Sequence, residues 1–206
     1  MDIHPTAILG LGFLLGIRHA LDADHLAAVS TIVSDRKSVV GSAFVGALWG
    51  LGHTAGLLGV AISIIMLRMQ IPPTLARSLE LAVAAMLIGL GFDLLLRARA
   101  KRARPRSSRR PFFVGLLHGL AGSAGLMLAT LATIPIPAVA LAYVTTFAVG
   151  SVGGMMAMSV MLGLPIALAT GRFARAERWL QTSAAVGSVA VGVFVAWELT
   201  TQTARL

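Results

Sequence analysis

Residues 18–25 run Arg18-His19-Ala20-Leu21-Asp22-Ala23-Asp24-His25 inside an apolar stretch, placing five ionisable side chains within about two helical turns. An Arg or Asp at the centre of a lipid-embedded helix costs about 2.5–3.5 kcal/mol on insertion scales. Such residues must face a bundle interior or a wet cavity and find partners there. Arg18 could snorkel to an interface, but five residues over two turns cannot. Imidazole and carboxylate together suit Ni²⁺, Co²⁺ or Zn²⁺, whereas Mg²⁺ and Ca²⁺ prefer all-oxygen shells. The chain has no cysteine, which excludes disulfides and thiolate ligands. On a regular helix at about 100° per residue, His19, Asp22 and His25 share a face about 120° wide with Arg18, and Asp24 points elsewhere. His19 and His25 are then about 9 Å apart by rise alone. They can share one ion only if the helix is unwound between them, or if one acts through the other. Arg18 could also neutralise Asp22 at i+4 and remove it as a ligand.

Further polar residues punctuate other apolar runs. His53 lies in Trp49-Gly50-Leu51-Gly52-His53-Thr54. A lone His in an apolar helix is ordinarily a satisfied polar residue, but the 18–25 cluster in the same small bundle makes His53 a candidate ligand. His118 and Ser123 lie in the glycine-rich stretch from Gly115 to Gly125, and Ser151 and Met155 in the one from Phe147 to Met156. Small residues at this density let helices approach closely. His118, Ser123, Ser151 and Met155 are candidates to line a pathway. A thioether is a weak ligand for Ni²⁺ among nitrogen and oxygen donors, so core packing is the ordinary role of Met155.

The elements that must position these residues are transmembrane helices. Of 206 residues, 57% are hydrophobic and 12% charged, with mean hydropathy +0.86; a soluble domain carries about 25% charged residues. The apolar runs are continuous rather than alternating, which favours helices over a barrel. Six spans are expected, at 7–33, 39–67, 75–96, 112–134, 138–169 and 179–200, with Gly163 and Pro165 bending or ending the fifth. Phe13, Gly16, His19 and Leu21 recur as Phe112, Gly115, His118 and Leu120 at a constant offset of 99. A three-span unit repeated once must be inverted, a common transporter plan with its site near the midplane. The expectation is an all-α, polytopic, single membrane domain over 1–206. It comprises a first half (1–96), a basic linker (97–111) and a second half (112–206).

Charge sets the orientation. The net charge is +9. Arg36 and Lys37, then eight basic residues between Arg97 and Arg110, then Arg172, Arg175 and Arg178 follow spans one, three and five. These loops share one side of a six-span chain, so they should be cytoplasmic, with both termini outside. The basic residues sit between apolar runs with few aromatics, so the lipid bilayer, not a nucleic acid, is the expected partner. Met1-Asp2-Ile3-His4 offers no basic n-region, so the first segment is expected to be retained.

These motifs also carry a resemblance. RHALDADH at 18–25 resembles the H-x4-D-H signature of the nickel/cobalt transporter (NiCoT) family, and LGHT at 51–54 its second His motif. GLLHGLAGSAGL at 115–126 and FAVGSVGGM at 147–155 look like the short six-span UreH-type nickel permeases associated with urease. The resemblance implies a nickel or cobalt permease of the prokaryotic cytoplasmic (inner) membrane. It implies no tightly bound cofactor, Ni²⁺ or Co²⁺ being the transported substrate. By it His19, Asp24, His25 and His53 are the metal residues, favouring Asp24 where the helical wheel favours Asp22. The larger transporters have an acidic motif where this chain has Gly122-Ser123-Ala124, which leaves the second half's ligands open. An exporter of the same metals is the alternative within the class. A metal-dependent intramembrane enzyme is the alternative outside it, but no H-E-x-x-H or G-x-S-x-G pattern occurs. A homo-oligomer or additional membrane subunits are compatible with this reading.

Overall fold

The computed structural model describes residues 5–34, 36, 38–67, 72–100, 108–121, 130, 133–170 and 172–203. Over these the chain is all-helical. The helices are α1 (Pro5–His19), α2 (Ala23–Val33), α3 (Val39–Leu67), α4 (Pro73–Ala100), α5 (Arg110–Leu120), α6 (Pro137–Ala169) and α7 (Ala174–Thr203). Four stretches are long and apolar enough to cross a membrane: Val39–Ile64, Pro73–Ala98, Pro137–Ala169 and Ala174–Thr201. The α1–α2 pair qualifies as a fifth if its two helices, bent by 57°, count as one broken span. The protein is therefore a polytopic helical membrane protein.

The expected continuous span at 7–33 is broken at Ala20–Asp22. Asp22 adopts an extended conformation (φ −61°, ψ 145°). Its N–H donates to the His19 carbonyl in a tight turn, and its own carbonyl accepts from Leu26 N–H to restart the helix. The break lets closely spaced polar side chains turn inward together, which a straight helix forbids. Conversely, α6 passes Gly163 and Pro165 without ending. Pro165 is exposed on the helix surface, and Gly163 lies against Ser42 of α3 where a Cβ would meet Oγ at 2.1 Å. α6 stops at Ala169, where Thr170 caps it by donating its N–H and its hydroxyl to the Ile166 carbonyl. Of the expected fourth span, α5 covers the start, and residues 122–129 and 131–132 lie outside the described residues. α4 continues through Arg97 to Ala100, so the basic linker begins as helix. Asp93 of α4 binds Arg97 at 2.7 Å and accepts from Arg110, the first residue of α5, at 2.9 Å. That ion-pair cluster anchors the start of α5 to α4.

Close backbone approach at glycine holds the bundle. α1 packs on α6, α5 on α3, α3 on α6 and α4 on α7. A Cβ on Gly16 of α1 would meet the Phe147 carbonyl at 2.1 Å; one on Gly115 of α5 would meet the Trp49 carbonyl at the same distance. A Cβ on Gly150 would meet the Phe13 carbonyl at 2.2 Å, and one on Gly52 the Phe112 carbonyl at 2.0 Å. Gly91 against Ala185 and Gly192 against Ala84 repeat the pattern between α4 and α7. The contacts come in matched pairs: Gly16 on Phe147 with Gly115 on Trp49, Gly150 on Phe13 with Gly52 on Phe112, and Gly91 on Ala185 with Gly192 on Ala84. Such seams work in lipid because association there rests on packing rather than on hydrophobic exclusion. α2, whose Ala27, Ala28, Val29, Ile32 and Val33 are buried, fills the space between α4, α6 and α7.

Candidate metal centre

The break places His19, the last residue of α1, beside His25 in the first turn of α2. Their ring centroids are 4.5 Å apart. α3 adds His53 and α5 adds His118, both fully buried. His25 is the hub, with centroids 4.5 Å from His19, 5.0 Å from His53 and 4.3 Å from His118. Gly119 makes the approach of α5 possible, since a Cβ there would meet the His53 carbonyl at 2.0 Å.

Two carboxylates hold these rings. His19 Nδ1–H donates to Asp22 Oδ2 at 2.8 Å, which leaves Nε2 with its lone pair. His118 Nε2–H donates to Asp24 Oδ2 at 2.9 Å. Carboxylate–imidazole pairs of this kind fix the tautomer and orientation of a ligand. Asp24 Oδ1 accepts from the backbone N–H of His25 at 2.9 Å. It also lies 3.1 Å from His25 Nδ1, but that approach is out of line for a hydrogen bond, and both ring nitrogens of His25 are without hydrogen-bond partners among the described residues. The Asp22 side chain is 46% exposed, against 21% for Asp24. The helical wheel is thus corrected: Asp24 faces the imidazoles, and Asp22 reaches them only through His19. Arg18 is exposed, and Asp22 turns to His19.

The donors fall into two groups whose ligand atoms all lie within 4.8 Å of one another: His19, His25 and His53, and Asp24, His25 and His118. The Nε2 atoms of His19 and His53 are 3.1 Å apart. Two imidazole nitrogens each about 2.1 Å from one dication, about 100° apart, have that separation. Both His25 nitrogens, His53 Nδ1 and His118 Nδ1 are buried without partners among the described residues. Unpaired buried polar atoms are costly, and neutral imidazoles with one carboxylate form a donor set for a first-row transition metal.

Aromatic walls flank the donors. Phe147 lies 5.4 Å from His19, and Trp49 lies 5.3 Å from His25 and 6.0 Å from His118. Sequence reading passed over both as wall residues. The signal was there, since Trp49 precedes His53 and Phe147 precedes Ser151 by one helical turn. Ser151 is buried with an unpartnered hydroxyl. Met155 is fully buried in the apolar core with Ala20, Val45 and Trp49. Ser123 lies outside the described residues.

Comparison with known proteins places this geometry in a family. Residues 6–127 match the family model NicO, described as a high-affinity nickel-transport protein. The chain is 32% identical over 205 residues to the urease accessory protein UreH of Bacillus sp. (strain TB-90), covering 91% of this chain and 90% of that one. It is 28% identical over 177 residues to chloroplast protein FOR GROWTH AND FERTILITY 1 of Arabidopsis thaliana, covering 74% of this chain but 48% of the plant protein. No solved structure matches the chain. The matched segment spans more than half of the chain and contains all four clustered histidines, and the chain accordingly belongs to the NicO family of high-affinity nickel-transport proteins, which are permeases rather than enzymes.

Proposed function

We propose that this chain carries nickel inward across a prokaryotic cytoplasmic membrane. The ion sheds water onto His19, His25, His53, His118 and Asp24, and Asp22 orients His19. The observation that carries this reading is the convergence of four buried imidazoles and a carboxylate at a break in a membrane helix. A lipid-embedded site of this composition is stable only with a cation to complete it. Co²⁺ fits the same donors and is the second expected substrate. The basic loops face the cytoplasm and both termini face outward. We assign the chain the accessory role toward urease that the Bacillus relative's name carries.

We further infer six spans arranged as two inverted three-helix halves, with α1 and α2 as one span and α5 beginning the fourth. The recurring motif at offset 99 and the paired glycine contacts support this. Rocking of the halves about the histidine cluster then opens it alternately to either side.

The test is nickel accumulation in cells expressing the wild type, His19→Ala or His25→Ala. Wild type accumulates nickel and becomes nickel-sensitive; the variants do neither. Equal accumulation in all three overturns the ligand assignment, and protection from nickel by the wild type overturns the direction.

A further inference from the structure

The two donor groups share only His25, and this has a consequence for how an ion passes. His19 and His53 stand on one side of the hub and Asp24 and His118 on the other. The direct bonds keep the same division. His19 meets His53 and Asp22, while His118 meets Asp24. His25 is fully buried, and neither of its ring nitrogens has a hydrogen-bond partner among the described residues. Asp24 Oδ1 lies 3.1 Å from its Nδ1, yet its ring stands within 5.0 Å of all three other imidazoles, so it is in reach of both sides. The walls divide likewise, with Phe147 against His19 and Trp49 against His118.

We propose that the cluster is a two-station relay, in which a single ion is held first by His19, His25 and His53 and then by Asp24, His25 and His118, with His25 retained throughout the step. This rests on the nickel-transport reading above and adds an order of events to it. The first station offers only imidazole nitrogens to the ion, with the Asp22 carboxylate behind His19, so it favours first-row transition metals over Mg²⁺ and Ca²⁺. The second contributes a negative charge that draws the dication onward. Retaining one ligand means the ion is never released bare into a low-dielectric interior, where an unpaired charge is most costly. The stations exclude one another, because two dications separated by one imidazole in a water-poor site repel strongly. Asp22, half-exposed and bonded to His19, makes the first station the one with the more open carboxylate, against 21% exposure for Asp24 at the second.

The experiment uses the full chain in lipid nanodiscs, with nickel binding measured by calorimetry and coordination by X-ray absorption, and transport measured as nickel uptake into proteoliposomes. Wild type binds one ion per chain. His118→Ala keeps one ion, bound by three imidazoles; His53→Ala keeps one ion, bound by two imidazoles and a carboxylate. Both variants lose at least about tenfold in uptake while still binding, and His25→Ala binds none. His118→Gln and His53→Gln, which preserve volume, are read alongside and give the same imidazole counts. Two ions bound to the wild type, the same coordination in both variants, loss of binding in both, or full uptake by His118→Ala each overturns the relay. A wild type that binds no nickel overturns instead the reading beneath it.

Discussion

Asp22 and Asp24 stand two residues apart, yet they meet different imidazoles in different surroundings. Asp24 touches His118 and lies beside His25, whereas Asp22 touches only His19 and is half-exposed. Replacing Asp24 with Asn removes the charge that faces His25 and His118. Nickel affinity is expected to fall about 10–100-fold. Asp22→Asn still offers an amide oxygen to His19 Nδ1–H, so its loss should stay under about tenfold. Titration calorimetry of the two variants decides the matter, and a larger loss for Asp22→Asn would make Asp22 the ligand. At this scale the sequence was legible in residue type but not in direction. Imidazoles and carboxylates inside an apolar run announced a cation. The helical wheel then misassigned Asp24, because it assumed an unbroken helix through residues 20–22.

Helices are placed here by glycine. Gly52 and Gly59 both lie in α3, but a Cβ on Gly52 would meet the Phe112 carbonyl at 2.0 Å, while one on Gly59 would meet nothing within 4 Å. Gly52→Ala must therefore push α5 away from α3, at about 1–3 kcal/mol. Thermal unfolding in detergent should show a midpoint about 2–10 °C lower, with weaker nickel binding as His118 moves from His53. Gly59→Ala should unfold at or slightly above the wild-type temperature, since alanine is the better helix former. Equal effects from the two would mean that the seam does not position the site. Helix positions were readable from continuous hydropathy, and close packing from the glycine density. What could not be read was that Gly163 and Pro165 do not end α6, which runs on to Ala169.

Over the whole molecule, charge and chemistry occupy different places. Most basic residues gather near helix ends and in the segments between helices, and the four clustered histidines lie inside the bundle. The chain has no cysteine, so single cysteines report sidedness directly. Ser108→Cys, in the exposed segment before α5, should resist a membrane-impermeant maleimide in intact cells, and Thr74→Cys, exposed at the start of α4, should react. Labelling with the opposite sidedness would invert the orientation. The proposed repeat rests on nine residues at offset 99, and the paired glycine contacts across three helix pairs support it. Sequence alone could not extend it, because the equivalent positions carry different side chains, such as His53 and Ser151.

The interrupted first span has an electrostatic consequence. α1 ends at His19 and α2 begins at Ala23, so two helix macrodipoles terminate at the cluster. The negative end of α1 favours a bound cation. The positive end of α2 favours the carboxylates of Asp22 and Asp24, each by about 0.3–1 kcal/mol or more where water is scarce. Backbone peptide dipoles, which no substitution of a side chain removes, thus favour the ion and its counter-charge together.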